Sequence, residues 1–296
     1  MNNDNNNWYR RVIVGVDGSD ESLAALNWAT LATDVHGARL VVVAAHPVSA
    51  EAGPETSSLI EEAHEEARHA ARAARDRLGG WRPGGRDVET HVLPGSAARV
   101  LAEQSTNDDL VVVGRRGLGA FDRALLGSTS SALAAAARGT VAVVPSGAAA
   151  DEPRRIRVGV GPTDEPDVLG TAFAEADARG RPLEVLHVTG TGPISSALLD
   201  MDPVAASWHE AAGVDLADRL ARWSDKYPTV TYTVVIRRGD PVATLLHGLA
   251  RNDILIVGGR SHSGVTGRLL RSVPDSVVRG APCPVLVVHA HRHPVG

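Results

Sequence analysis

Cysteine and long apolar runs are scarce in this chain, and each scarcity excludes a class of protein. The one cysteine, Cys283, cannot form a disulfide within the chain, which indicates a protein of a reducing compartment. No stretch approaches the roughly eighteen apolar residues of a membrane helix. The start, MNNDNNNWYRR, is polar and lacks the apolar core of a signal peptide. We therefore expect a soluble cytoplasmic protein with no membrane partner and a disordered tail at residues 1–9.

An excess of basic residues is also missing. The 296 residues include 30 Lys and Arg against 35 Asp and Glu, which gives a net charge of −5. Nucleic acids and anionic membranes normally require a basic face, so we expect no nucleic-acid partner. Apolar residues make up 43% of the chain, an ordinary globular balance with enough material for a core. The length suggests about two domains.

The clearest chemistry lies between Asp108 and Pro145. Leu110 to Val113 has the length and β-branched content of a strand buried on both faces. A loop with glycine and arginine follows, and residues 127–130 then open an Ala-rich helix. A helix start made of Gly and hydroxyl residues collects free N–H groups and a positive dipole end, and loop glycines let amides approach an anion. We interpret this stretch as a phosphate cradle.

The spacing of these glycines differs from two familiar phosphate motifs. The only lysine, Lys226, follows no such loop, so GxxxxGK[ST] is absent, and no GxGxxG follows the first strand. Instead, Gly114 and Gly117 enclose two residues, and nine more residues precede Gly127 and Ser128. This spacing resembles the ATP-binding signature of the universal stress protein family and matches it at every fixed position. The alternative is that these are ordinary loop glycines and a helix cap.

The resemblance implies ATP as a ligand, with Mg²⁺ between its phosphates, although no cluster of metal-ligating residues in the sequence indicates the metal. Asp17 would accept hydrogen bonds from the ribose, and Ala44 or Ala45 would meet the adenine through backbone groups. Asp17 follows a strand and precedes a helix, so an Asx-type turn or a helix N-cap is the alternative role for it.

Topology predicts how the parts of this site come together. Open parallel sheets bind ligands at the carboxyl ends of their strands, which places the turn after the first strand beside the loop after the fourth. By the resemblance, the loop would pass beneath the phosphates and the helix start would hold them. The expected site residues are Gly15, Val16, Asp17, Ser19, Ala44, Val113, Gly114, Arg116, Gly117, Gly127, Ser128, Thr129 and Ser130.

Strand and helix patterns alternate through the first half of the chain. Buried strands are predicted at Val12 to Val16, Leu40 to Ala45 and Thr140 to Val144, and a long helix at Ser57 to Leu78. The run Val88 to Leu93 alternates enough to lie nearer a sheet edge. This order predicts an α/β fold: a five-stranded, parallel, doubly wound, Rossmann-like sheet with helices on both faces.

The same order recurs in the second half. RRIRVGV from Arg154 repeats RRVIVGV from Arg10 at an offset of 144 residues (154 minus 10), and IRRGD and DILIVG repeat VLPGS and DLVVVG at that offset. We interpret this as a tandem duplication of the domain, which also carries the resemblance over both copies. The expected boundaries are residues 10–146 for the first domain, 147–153 for a linker, 154–290 for the second domain and 291–296 for a C-terminal tail.

The second copy departs from the signature. Gly161 stands where the first copy has Asp17, so the ribose contact is missing. Ser261 and Arg271 add side chains at positions of glycine, and Pro274 removes one N–H donor from the helix start. We expect one good ATP site, in the first copy, and a weak or empty second site.

The last strand of each copy, Val141–Val144 and Val285–Val288, is short, apolar and at a sheet edge, where an exposed strand calls for a partner. The resemblance implies that these strands pair, which would make an intramolecular pseudo-dimer; a further homodimer is an open alternative.

The sequence favours an ATP-binding, nucleotide-gated module of stress response or signalling. No general base is evident near the predicted triphosphate, so hydrolysis would be slow. The alternative is an enzyme, a slow ATPase or phosphotransfer catalyst of related α/β fold, which rapid turnover would reveal. A purely structural interaction protein is the third possibility, and it would carry no nucleotide.

Overall fold

The structure is a computed structural model that describes residues 8–48, 54–81, 84, 87–118, 126–149, 152–161, 166–189, 216–259 and 273–289. The chain divides into two compact units, one built on Met1–Ala150 and the other on Asp151–Ala290. Among the helices that these ranges contain, none combines the length and apolar character needed to cross a bilayer.

The first unit alternates strands and helices throughout. Its strands lie in the order β3-β2-β1-β4-β5, and all neighbours are parallel. The predicted parallel, doubly wound sheet is confirmed. The elements are β1 Arg11–Gly15, α1 Asp20–His36, β2 Arg39–His46, α2 Pro54–Leu78, β3 Glu89–Pro94, α3 Ala97–Gln104, β4 Asp109–Gly114, α4 Ser128–Ala136 and β5 Thr140–Val144.

Burial explains why the central strands read as continuous apolar runs. Val12, Ile13 and Val14 of β1 are fully buried, as are the apolar residues at the centre of β4, because helices cover both faces of a parallel sheet. Helix α1 begins at an N-cap, Ser19, whose side chain accepts from the Ser22 N–H, and it ends at a left-handed Gly37. Strand β3 lies at one end of the strand order, which confirms the edge position predicted for Val88–Leu93.

The second unit repeats this arrangement. Its strands lie in the order β8-β7-β6-β9-β10, and all neighbours are parallel. Each strand therefore has the same neighbours as its counterpart in the first unit. The elements are β6 Ile156–Val160, α5 Pro166–Arg179, β7 Leu183–Thr189, α6 at residues 216–226, β8 Tyr232–Arg238, α7 Pro241–Leu246, β9 Ile254–Gly258, α8 Val273–Gly280 and β10 Val285–Val288.

A buried ion pair ties two strands together at the amino end of each sheet. In the first unit, the Arg11 guanidinium lies 2.6 Å from the Asp109 carboxylate, which also accepts from the Thr106 N–H and hydroxyl. In the second unit, Asp253 pairs at 3.3 Å with Arg155, the residue at the Arg11 position, and at 3.0 Å with the more exposed Arg154. Burial acts to raise the pKa of each aspartate, but the hydrogen bonds outweigh it and hold the pKa below its ordinary value.

The predicted disordered tail at residues 1–9 is too long at its inner end. Tyr9 is 2% exposed, and its ring packs edge-on against His36 with the ring centroids 4.8 Å apart. The polar, Asn-rich sequence before it gave no indication that Tyr9 is buried against the end of α1. Residues 1–7 lie outside the described ranges.

The strand order places the candidate site. Chain progression leads from β1 to β2 on one side, whereas β4 returns on the other side of β1, so the connections diverge between β1 and β4. A crevice forms at the carboxyl ends of strands where the direction of winding changes. The turn after β1 and the loop after β4 border this crevice.

Candidate functional site

The turn after β1 is built on Asp17 and Ser19. One carboxylate oxygen of Asp17 accepts from the Ser19 N–H at 3.0 Å and from the Ser19 hydroxyl at 2.6 Å, which is an Asx-type turn. Ser19 in turn caps α1 by accepting from the Ser22 N–H at 3.1 Å. The sequence offered an Asx-type turn or a helix N-cap as the alternative role of Asp17. In the structure Asp17 forms the Asx-type turn, and Ser19 is the N-cap.

The second oxygen of Asp17 faces the loop after β4. This oxygen, Oδ2, accepts from the Leu118 N–H at 3.2 Å, and a Cβ at Gly117 would collide with it. Asp17 remains exposed, so its carboxylate still has lone pairs open to a ligand. The structure thus brings together two predicted site residues, Asp17 and Gly117, that lie 100 positions apart in the sequence.

The same loop is held by a residue that sequence reasoning missed, Glu21 in the first turn of α1. Its carboxylate accepts from the Arg116 backbone N–H at 3.1 Å, and from the Arg116 side chain at Nε (2.9 Å) and Nη2 (2.5 Å). Glu21 is only 7% exposed. Both the guanidinium and the backbone N–H of Arg116 therefore bond to Glu21 rather than face an anion site.

Gly114 has a packing role at this junction. An added Cβ would lie 2.8 Å from the carbonyl carbon and oxygen of Glu21, so only glycine lets the end of β4 pass beneath α1. The next residue, Arg115, is half-buried, and burial lowers the pKa of its guanidinium below the ordinary value. The nearby Glu21 carboxylate acts in the opposite direction on that pKa; Arg115 was not among the expected residues.

Helix α4 begins at the same loop. Gly127 is its N-cap in extended backbone conformation, without a side chain to accept from the first-turn amides. The Gly127 N–H and the Ser130 hydroxyl both donate to the Arg115 carbonyl, at 3.0 and 2.8 Å. Ser130, 1% exposed, is thus engaged inside the loop. Of the predicted hydroxyls, Ser128 is exposed and Thr129 half-exposed, beside the open amides.

The remaining predicted residues form the floor of the crevice. Gly15 admits helix α3, because a Cβ there would lie 2.8 Å from Leu101 Cδ1. Val16 is buried and donates its N–H to the β2 backbone. Val113 and Ala44 are buried in β4 and β2. Residues 119–125 of the loop lie outside the described ranges.

The second unit uses its own side chains at the corresponding strand ends. Arg219 of α6 donates to the carbonyl of Gly161, the residue at the Asp17 position, at 3.2 Å. The buried His187 ring donates from Nδ1 to the Val160 carbonyl at 2.7 Å. Pro274 lies in the first turn of α8, as predicted. Two other departures from the signature, Ser261 and Arg271, fall outside the described ranges.

Within the part of the chain that the structure describes, no three His, Cys, Asp or Glu side chains gather as a group that could hold a metal ion. The acids at the crevice, Asp17 and Glu21, both accept hydrogen bonds from neighbouring residues. Any cation at this site would take most of its oxygen ligands from a bound anion and water.

Comparison with known proteins agrees with the tandem arrangement. The sequence model of the universal stress protein family matches residues 9–145 and again residues 152–289. A universal stress protein of Mycolicibacterium smegmatis is 37% identical over 291 residues, which cover 94% of this chain and 96% of that protein. One from Mycobacterium tuberculosis strain H37Rv is 33% identical over 289 residues, covering 93% and 96%.

The fold has a counterpart among solved structures. The crystal structure of a universal stress protein from Archaeoglobus fulgidus covers 95% of this chain, and the chain covers 98% of it, with a TM-score of 0.63 and 18% identity. At that identity the likeness shows the fold alone. With two family matches that span nearly all of the sequence, the chain belongs to the universal stress protein family, as two tandem domains.

Proposed function

We propose that the first unit binds ATP at the carboxyl ends of β1, β2 and β4, and that the chain is a nucleotide-gated module of stress response or signalling. Asp17 would accept from the ribose hydroxyls, and the backbone near Ala44 would meet the adenine. The Gly117 amide of the loop and the start of α4 would receive the phosphates.

The observation that carries this proposal is the approach of Asp17 to Gly117. An exposed carboxylate, which could accept from ribose hydroxyls, lies directly beside a glycine whose missing side chain leaves the loop backbone open. Because both groups border the crevice between β1 and β4, one extended ligand would reach a ribose acceptor and an anion-binding loop together.

The start of α4 provides a second group of hydrogen-bond donors for a phosphate. Its first-turn amides and the positive end of the helix dipole point into the loop, and Gly127 leaves them without a capping side chain. Ser128 and Thr129 add hydroxyl donors. These groups fit a phosphate, and Mg²⁺ would be held chiefly by phosphate oxygens and water.

In the second unit we propose a weak site or none. Gly161 offers no carboxylate to a ribose, and its carbonyl already accepts from Arg219. The His187 ring occupies the strand end where the first unit has the small Ala44. The side chains of this unit thus fill the space that a nucleoside would need.

Isothermal titration calorimetry with ATP tests both statements. We expect one ATP per chain, and loss of roughly tenfold in affinity for Asp17→Ala, the change of about 1.4 kcal/mol that loss of one charge-assisted hydrogen bond gives. Asp76→Ala removes an exposed aspartate of α2 far from the crevice and serves as the matched control. Two equivalent sites, or equal affinities for the two variants and the wild type, would contradict the proposal.

A further inference from the structure

We propose that Glu21 is a positioning residue for the phosphates: its buried carboxylate fixes the loop after β4 so that the Gly117 amide faces the ligand. This inference rests on the proposed ATP site. Glu21 does not touch the ligand in this scheme, and it acts through Arg116.

Two carboxylates hold the loop on either side of Gly117. Glu21 accepts from the Arg116 N–H at 3.1 Å, and Asp17 accepts from the Leu118 N–H at 3.2 Å. Both acids belong to the turn after β1 and the first turn of α1 that follows it. With the amides before and after it fixed, the Gly117 peptide has one orientation rather than several, so the loop is organised before an anion arrives.

The Arg116 side chain makes the clamp stronger than a single backbone bond. Its Nε and Nη2 both reach Glu21 Oε1, and the pair is largely buried, with side-chain exposures of 19% and 9%. Charge-assisted hydrogen bonds of this kind exceed neutral ones in strength, and they fix geometry as well. A surface ion pair would not restrict the loop in this way.

Packing and hydrogen bonds hold the start of the loop, Gly114 and Arg115, independently of this clamp. A Cβ added at Gly114 would lie 2.8 Å from the Glu21 carbonyl carbon and oxygen, so the loop begins in close contact with the backbone of α1. The Gly127 N–H and Ser130 hydroxyl fix Arg115 from the other side. Release of Arg116 therefore frees residues 116–118 in particular, the segment that faces the phosphates.

The test compares ATP with adenosine in the Glu21→Gln variant of the full chain. Gln has nearly the same shape, so the chain folds, but it carries no charge and has one acceptor oxygen in place of two, so it cannot hold both the Arg116 N–H and the guanidinium. We expect roughly tenfold weaker ATP binding, while adenosine, which has no phosphates, binds as in the wild type. The Arg116→Gln variant should show the same split, and the double variant should be no weaker than either single one, because both changes remove one clamp.

Glu103→Gln is the matched control, since Glu103 forms an ion pair of 2.7 Å with Arg99 on exposed α3. Glu103→Gln should change neither the affinity for ATP nor the affinity for adenosine. Hydrogen exchange without nucleotide gives an independent reading: the Arg116 amide should exchange faster in Glu21→Gln than in the wild type.

The outcomes separate this inference from the proposed function. If the wild type binds ATP and Glu21→Gln binds it equally well, Glu21 does not position the loop. Tighter binding by Glu21→Gln would also overturn the inference and would mean that the Glu21 charge opposes the phosphates. Equal losses for ATP and adenosine would mean a general structural role and would also overturn the inference. If the wild type binds no ATP, the proposed function itself fails.

Discussion

Alanine at Gly114 and alanine at Gly117 should separate stability from ligand binding. At Gly114, the new Cβ would lie 2.8 Å from the carbonyl carbon and oxygen of Glu21 and 3.0 Å from its Cβ. These atoms belong mostly to the backbone of the first turn of α1, so no side-chain rotation relieves the clash, and helix and strand must move apart. Overpacking of this kind costs about 1–3 kcal/mol of the free energy of unfolding.

At Gly117 the obstacle is different. The added Cβ meets only the carboxylate end of Asp17, an exposed side chain that can rotate away. Rotation gives up the hydrogen bond to Leu118, but alanine also reduces the freedom of the unfolded chain, which stabilises the fold by about 0.4–1 kcal/mol where the backbone permits it. The net change in the free energy of unfolding should stay within about 1 kcal/mol, while ATP affinity falls.

Urea unfolding followed by circular dichroism measures the free energy of unfolding, and calorimetric titration measures the ATP affinity. Gly114→Ala should lower the urea midpoint without a change in slope, whereas Gly117→Ala should leave the midpoint close to the wild type and weaken ATP binding. The reasoning fails if the two variants lose equal stability, or if Gly114→Ala is as stable as the wild type.

Three further predictions rest on buried groups. Cys283 should resist iodoacetamide in the folded protein at pH 8 and react after denaturation, because burial raises the pKa of its thiol to about 12; rapid labelling of the folded chain would contradict this. The Asp253 pKa is held below its ordinary value, so the carboxylate contributes its full stability above about pH 4. That contribution is lost as the pH falls through the folded-state pKa. Asp253→Asn should therefore lower the stability at pH 7 and make the unfolding curve depend less on pH in the acid range. Gly161→Asp should add no second ATP in calorimetry, since Arg219 and His187 still hold the neighbouring carbonyls; a gain of one site would show that the missing carboxylate alone disables the second unit.

The fold could be predicted from local pattern because its information is local. Buried strands such as Leu110–Val113 are apolar runs of the right length, and glycine or a hydroxyl residue marks the ends of helices. The 144-residue repeat then gave the tandem arrangement without any contact being known. The approach of Asp17 to the loop after β4 also followed, because parallel topology fixes which strand ends are neighbours.

The contacts within the site could not be predicted in the same way. Glu21 and Arg116 lie 95 positions apart, and charged residues on a helix are usually solvated, so nothing local marks this pair as buried. One signal was present: Glu21 lies on the same face of α1 as Ala25 and Trp28, both buried, and an acid on an apolar face calls for a partner. The bond of the Ser130 hydroxyl to the Arg115 carbonyl could not be predicted either, because a hydroxyl at a helix start can bind a ligand or its own loop equally well.

The two units also show where duplication has kept the structure and where it has changed it. At the amino ends of the strands, the pair of Arg11 with Asp109 recurs as Arg155 with Asp253, and the aspartate pKa is lowered in both. The pair joins neighbouring strands, and in both units the aspartate is buried whereas the arginine is partly exposed, so loss of the arginine would leave a buried carboxylate with fewer partners.

At the carboxyl ends, the same comparison gives the opposite result. The Asp17 position holds Gly161, and the strand ends are closed by Arg219 and His187 from within the unit. The sheet is intact in both units, so the side chains at this edge contribute little to the choice of fold and are free to change. In the first unit a carboxylate, a glycine of the loop and the Glu21–Arg116 pair border one crevice, and the proposed ligand would need all three. We therefore expect binding to fail as a set, through loss of any one of these parts, while the fold persists.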